Sequence, residues 1–276
     1  MEPVFRRGYR GSLKCAILDW AGTTLDYGVY APAVAFLDVF RRQGVEITMA
    51  EARAPMGVHK KDHLRRIAET PAVAARWRQL KGREVREQDI EAMYADFVPL
   101  QLACLGRYAR LIPGTLEALA DFKARRMLTG TTTGYTRAMV EVVLQEAQRQ
   151  GYRPDCTVAA DEVPAGRPQP YACWQNAIRL RVWPAEACVK IGDTTPDVGE
   201  GLNAGMWTVA IALTGNEVGL NEEEVAALAP EERQRRTREA AAKLAAAGAH
   251  YVVEGIWEVP PVLDDINRRL AGGEKP

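Results

Sequence analysis

Asp19 ends a short apolar run, Lys14 to Asp19, and opens the segment Asp19-Trp20-Ala21-Gly22-Thr23-Thr24-Leu25-Asp26. A carboxylate placed there, with Gly and Thr after it, stands over a turn whose backbone N–H groups can hold phosphate oxygens. Such an Asp can attack phosphorus and form an acyl phosphate. Taken alone, an Asp at this place more often caps a turn. Three further segments shift that balance. Thr131-Thr132-Thr133-Gly134 offers hydroxyl and amide donors for a phosphoryl group, and Ala165-Gly166-Arg167-Pro168 offers a guanidinium against developing negative charge. Gly192-Asp193-Thr194-Thr195-Pro196-Asp197 supplies hard oxygen ligands of the kind Mg2+ takes. Each segment follows an apolar run, and four in this order are difficult to assign to chance.

A second group of residues lies far from any apolar run. Ala54-Pro55-Met56-Gly57-Val58-His59-Lys60-Lys61-Asp62-His63 joins a Pro-x-Gly turn to lysine and histidine. An amine in a dry pocket near other cations loses its proton more readily and can condense with an aldehyde. An exposed basic helix start is the commoner meaning of such a cluster, and spacing does not choose between Lys60 and Lys61.

The elements that must position these residues alternate. Strands are expected at Lys14 to Asp19, Arg126 to Thr131, Cys156 to Ala160, Cys188 to Gly192, Trp207 to Leu213 and His250 to Glu254. Helices are expected at Gly114 to Arg125, Thr136 to Gln150, Pro170 to Leu180 and Pro196 to Ala204. This is the pattern of an α/β fold with a Rossmann-like, mainly parallel sheet, which presents ligands at the carboxyl ends of its strands. From Tyr30 to Tyr108 only helical patterning appears, as in Glu87 to Leu105, where Ile90, Met93, Tyr94 and Phe97 recur at helical spacing. Residues 28–106 therefore read as a helical cap inserted into a core made of residues 1–27 and 107–276. Ala240 to Ala247 reads as a strong helix former, and His250 as structural.

Composition narrows the function classes. The 276 residues carry 36 Lys and Arg against 36 Asp and Glu, a neutral balance that speaks against nucleic acid or an anionic membrane as partner. The five cysteines form no Cys-x-x-Cys pair, and buried thiols in a reducing compartment are the expectation. A charged N-terminus and no long apolar run point to a cytoplasmic protein without a membrane span. No Gly-x-Gly-x-x-Gly follows the first strand, so a dinucleotide site is not expected.

The four strand-end segments resemble the haloacid dehalogenase-like superfamily, over Lys14 to about Leu213. The resemblance implies that Asp19 is the nucleophile and that Asp19, Asp193 and the backbone carbonyl of Ala21 hold Mg2+, with Asp197 in support. It implies that Thr133 and Arg167 bind the transferring group. One residue departs from it: phosphatases of the superfamily have a second Asp two positions after the nucleophile, where this chain has Ala21. That Asp protonates a leaving alkoxide, which Ala cannot do. Either a phosphatase has been damaged or the leaving group is not an alkoxide. An iminium on a cap lysine would let carbon leave phosphorus as an enamine, so a missing acid and an available amine make a coherent pair.

The whole chain resembles the phosphonatase family. The segments that carry the likeness are Asp19 to Gly28, Pro55-Met56-Gly57 with Lys60 and His63, Thr132-Thr133-Gly134-Tyr135-Thr136-Arg137, Val163 to Pro168 and Ala204 to Val209. The resemblance selects Lys60 as the Schiff-base lysine and places Met56 and His63 where they assist proton movement. Gly57, Thr132 and Tyr135 join Thr133 and Arg167 as expected substrate-binding residues, though packing is an equal reading for Tyr135. It implies hydrolysis of the C–P bond of phosphonoacetaldehyde to acetaldehyde and phosphate, within the breakdown of 2-aminoethylphosphonate, by a homodimer joined through the cap. Two alternatives remain at this level: a capped phosphomonoesterase or mutase, and an inactive protein that binds a phospho-ligand.

Overall fold

The computed structural model describes residues 8–276. Six parallel strands form one sheet: β1 (Cys15–Leu18), β2 (Leu128–Thr132), β3 (Cys156–Val158), β4 (Cys188–Gly192), β5 (Trp207–Ile211) and β6 (Tyr251–Val253), in the spatial order β3-β2-β1-β4-β5-β6. β1 is buried at all four positions because it pairs with β2 on one side and β4 on the other. Its side chains alternate between two packed faces, as a strand's must. Ala16 and Leu18 join Val189, Ile191, Val209 and Ile211 on one face, and Cys15 and Ile17 join Cys173, Cys188 and Met206 on the other. The strand order reverses between β1 and β4, which opens a crevice beyond their carboxyl ends. Asp19 and Asp193 are the residues that follow those two ends.

Five helices are inserted after β1: α1 (Tyr30–Arg42), α2 (Met49–Arg53), α3 (Lys60–Glu69), α4 (Pro71–Lys81) and α5 (Glu87–Tyr108). The core continues with α6 (Thr115–Ala124), α7 (Arg137–Arg149), α8 (Tyr171–Arg179), α9 (Thr195–Asn203), α10 (Glu222–Ala226), α11 (Pro230–Ala246) and α12 (Val259–Ala271). Cap and core share one apolar cluster. Phe36, Trp77, Met93 and Phe97 of the cap are continuous with Trp20, Met139, Val140, Val143 and Tyr152 of the core. Burial of aromatic side chains on this scale favours the closed placement of the cap against the flank of the sheet.

The expected elements are present with shifted ends. The second strand starts at Leu128 rather than Arg126, because Arg126 adopts a left-handed φ of 60° and closes the turn out of α6. The third stops at Val158, where a tight turn over Ala160–Glu162 begins, and the fifth stops at Ile211. The Ala240 to Ala247 helix former is the end of a longer helix, α11. His250 is tied into the sheet edge, where its Nδ1 accepts from the Thr208 backbone N–H at 3.0 Å. Among the described residues the five cysteines are unpaired, and no helix is long and apolar enough to cross a membrane. Trp183 at 77% and Ile178 at 69% are the most exposed of the large apolar side chains among the described residues and lie with Trp174 and Tyr171 on and after α8, while Leu80 of the cap follows at 53%.

Candidate active site

The loop after β1 is built to hold a carboxylate against a second one. The Asp19 backbone N–H donates to Ile191 O at 2.9 Å, which continues the pairing of β1 with β4 by one residue. The chain then turns sharply. Thr24 Oγ1 donates to Asp19 O at 3.1 Å, the Gly22 N–H donates to Leu25 O at 2.8 Å, and Thr214 Oγ1 donates to Gly22 O at 2.7 Å. Gly22 has a φ of 78°, and a Cβ there would stand 2.4 Å from Asp193 Oδ2. No other residue would let the loop after Asp19 approach Asp193 so closely.

Arg167 lies beneath this loop in a buried network of charge. Its Nη2 donates to Asp19 Oδ1 at 2.7 Å and to the Thr132 carbonyl at 2.8 Å. Its Nη1 lies 2.9 Å from Asp197 Oδ1, and its Nε donates to Glu200 Oε2 at 3.0 Å. Burial works against the charge on Arg167, but Asp19, Asp197 and Glu200 outweigh it and hold the guanidinium firmly protonated. Lys190 completes the set, donating to Asp197 Oδ1 at 2.7 Å. The three faces of the guanidinium fork are thus assigned, and one points at Asp19.

Asp19, Asp193 and Asp197 each place a carboxylate oxygen within 4.8 Å of the others. Asp193 Oδ2 accepts the Asn216 N–H at 2.8 Å, whereas the buried Oδ1 has no hydrogen-bond partner. Burial, and then the negative neighbours Asp19 and Asp197, push the Asp193 carboxyl well above the usual range. Asp197 is held low because Arg167 and Lys190 outweigh its burial. An orphaned carboxylate oxygen beside a second carboxylate is the environment a small hard cation relieves. Asp19 and Asp193 fit that group, and both face the same cavity.

The cap supplies the other wall. His59 caps α3, its Nδ1 accepting the Lys61 N–H at 3.3 Å, so Lys60 is the first helical residue. The buried face of α3 is Lys60, His63, Leu64 and Ile67, which is helical spacing from Lys60 onward. Lys60 is 4% exposed. Its ammonium lies 5.2 Å from the centre of the Tyr135 ring, 5.8 Å from that of Phe36 and 4.0 Å from Met56 Sδ. Burial lowers its pKa to about 8, in opposition to Asp19 and with help from Arg167. Lys61 points away and pairs with Glu87 at 3.1 Å and with Glu91 on the surface.

Asp19, Ala21, Met56, Gly57, Lys60, Thr133, Tyr135, Arg167 and Asp193 line one cavity between cap and core. The methyl of Ala21 packs with Val29, Ala33 and Met56, so an apolar cluster occupies the place where a phosphatase has its acid. Cap and core touch through glycines. A Cβ on Gly134 would stand 2.9 Å from Val58 O and 3.9 Å from Lys60 Cε. Thr133 Oγ1 accepts the Tyr135 N–H at 3.1 Å, and the buried Tyr135 hydroxyl has no partner.

Three expected site residues stand behind the cavity rather than on its wall. Thr132 turns its hydroxyl to Glu200 Oε2 at 2.9 Å and to Arg167 Nη2 at 2.8 Å, because alternate residues of a strand face opposite ways. Asp197 faces Arg167 and Lys190. His63 is fully buried against Phe36, with ring centres 3.9 Å apart, and its Nε2 lies 2.8 Å from Ala52 O. A carbonyl only accepts, so Nε2 carries the proton and the unpartnered Nδ1 keeps its lone pair. Burial and the nearby Lys60 hold this ring neutral. Glu200 and Lys190 were not anticipated from sequence. The lysine within the apolar strand Cys-Val-Lys-Ile-Gly was the available signal.

The sequence pattern of the haloacid dehalogenase-like hydrolases matches residues 13–205. A phosphonoacetaldehyde hydrolase-like protein of Syntrophobacter fumaroxidans is 49% identical, covering 99% of this chain and 99% of its own length. A phosphonoacetaldehyde hydrolase of the same organism is 46% identical, again over 99% of both chains. The crystal structure of a phosphonoacetaldehyde hydrolase-like protein from Oleispira antarctica superposes with a TM-score of 0.98 at 41% identity, covering 100% of each chain. The chain belongs to the haloacid dehalogenase-like hydrolases and, among them, to the phosphonoacetaldehyde hydrolase family.

Proposed function

We propose that this hydrolase cleaves the C–P bond of phosphonoacetaldehyde, releasing acetaldehyde and phosphate. The observation that carries the reading is a buried Lys60 amine facing the Asp19 cavity, with a methyl at position 21 where an acid would serve an alkoxide. Neutral Lys60 Nζ attacks the aldehyde carbon, and loss of water leaves an iminium. Asp19 attacks phosphorus, and the electron pair of the C–P bond passes into the iminium to give an enamine. Phosphorus then stays on Asp19 as an aspartyl-phosphate. Protonation of the enamine carbon and hydrolysis of the imine release acetaldehyde, and water releases phosphate from Asp19. Arg167 and Thr133 hold the phosphoryl oxygens. Met56 and the apolar wall keep Lys60 deprotonable, and His63, neutral with a free Nδ1, supports proton movement from behind. Asp19, Asp193 and the Ala21 carbonyl, with Asp197 behind them, would hold Mg2+, which would supply charge neutralisation for the phosphoryl group.

The names of the relatives support the substrate, and the cavity supports the roles. Release of inorganic phosphate from phosphonoacetaldehyde, dependent on Mg2+, tests the proposal. Faster hydrolysis of sugar phosphates, indifferent to replacement of Lys60, would favour the phosphomonoesterase reading instead. A homodimer is part of the proposal.

A further inference from the structure

Arg53 lies outside the cavity and has no part in the reaction above, yet the residue is only 8% exposed and its guanidinium sits where the chain leaves the core for the cap. Its Nη1 donates to Gly28 O and, at 3.2 Å, to Val29 O. Those two residues adopt left-handed φ values of 79° and 57°, and α1 begins directly after them. The guanidinium also covers the Tyr30 ring at 4.9 Å. Its Nε and Nη2 have no hydrogen-bond partner. One side of Arg53 therefore grips the first of the two linkers on which the cap is hung.

The other side reaches the metal-site carboxylate. The Arg53 carbonyl accepts from Asn216 Nδ2 at 3.3 Å, and the Asn216 N–H donates to Asp193 Oδ2 at 2.8 Å. The same core loop holds the linker directly, since the Gly28 N–H donates to Thr214 O at 2.8 Å. Gly219 of that loop has a φ of 66°, and a Cβ there would stand 3.2 Å from Arg53 Nε, so the loop fits around the guanidinium. Four residues after Arg53 the chain reaches Gly57, which seats on Thr194, and Lys60 follows.

We propose that Arg53 and Asn216 are positioning residues that couple closure of the cap to the setting of Asp193, so that cation binding and delivery of Lys60 favour one another. This rests on the reading that Asp193 holds a cation, and it does not need the Schiff base. Coupling of two sites is reciprocal, and values of about fivefold or more are ordinary. A cation that draws Asp193 into place holds the Asn216 loop, the loop holds Arg53, and Arg53 holds the linker closed.

The test combines Mg2+ calorimetry with amide hydrogen exchange of residues 54–60, in the full-length protein and in Arg53→Met, Arg53→Lys and Asn216→Ala. In the unaltered protein Mg2+ is expected to slow exchange of residues 54–60 by about fivefold or more. In Arg53→Met and Asn216→Ala that protection is expected to vanish and Mg2+ to bind about fivefold more weakly, with circular dichroism unchanged. Arg53→Lys, which keeps one donor for the linker carbonyls, is expected to restore part of both. Folded Arg53→Met and Asn216→Ala proteins with full Mg2+ protection of the cap would overturn the coupling. If Arg53→Met does not fold, Asn216→Ala decides alone. Absence of Mg2+ binding in the unaltered protein overturns both the coupling and the cation site. Failure to cleave phosphonoacetaldehyde with the coupling intact contradicts the proposed reaction only.

Discussion

Gly57 of the cap and Thr194 of the core approach so closely that a Cβ on Gly57 would stand 2.4 Å from the Thr194 Oγ1. The φ of Gly57 is 98°, so a side chain there would be strained as well as crowded. Gly57→Ala is therefore expected to lift the loop that carries Lys60 and to lower kcat/KM about 100-fold, the usual effect of an ångström-scale misplacement. Steady-state kinetics check this, with circular dichroism to show that the fold survives.

The Lys60 amine must be neutral to attack an aldehyde, and its pKa is lowered to about 8. Adduct formation is expected to rise with pH through about 8 and then level off. The sign for stability is the same. The unfolded chain, with lysine near 10.5, binds more protons than the folded one between about pH 8 and 10.5, so the stability tied to Lys60 rises across that window. Denaturant unfolding of the protein and of Lys60→Met, at pH 7.5 and pH 10, should reveal that difference in slope.

Ala21→Asp would place a carboxylate among Val29, Ala33 and Met56, beside the cavity that holds Lys60. An acid there favours the charged form of the amine, so the pH limb of adduct formation is expected to move upward by about one unit or more. The rate at neutral pH falls accordingly. A limb left in place would show that the side chain at 21 does not tune Lys60.

Arg167 balances Asp19, Asp197 and Glu200 inside the protein. Arg167→Met leaves those carboxylates uncompensated and is expected to cost about 3–5 kcal/mol of stability along with phosphate release. Arg167→Lys cannot reproduce the three-way fork and should recover charge but little activity. Urea unfolding and phosphate assays measure the two effects separately.

Much of this site was legible because chemistry in an α/β sheet collects at strand ends. Asp19, Thr133, Arg167 and Asp193 each follow an apolar run, and the turn residues beside them narrow the chemistry further. Spacing leaves Lys60 and Lys61 equivalent, and it is the family resemblance that selects Lys60; the two part only once the ends and buried face of α3 are fixed. Lys60, His63, Leu64 and Ile67 repeat at helical spacing and go inward, whereas Lys61 meets Glu87 and Glu91 outside. A run of threonines does not say which one faces the cavity until the register of β2 is fixed, so Thr132 reads from sequence as a ligand although it turns to Glu200 and Arg167. Glu200, Asn216 and Arg53 were not legible, since the Arg167, Asp193 and Val29 groups they meet lie 33, 23 and 24 residues away and come together only in the tertiary fold.

The central claim is a covalent bond between Lys60 and the substrate's aldehyde carbon. Borohydride added with phosphonoacetaldehyde, followed by peptide mass spectrometry, measures it directly. A reduced two-carbon adduct on Lys60, absent from Lys60→Ala and undiminished for Lys61→Ala, is the predicted result. Unmodified Lys60 in a protein that still releases phosphate from phosphonoacetaldehyde would contradict the account.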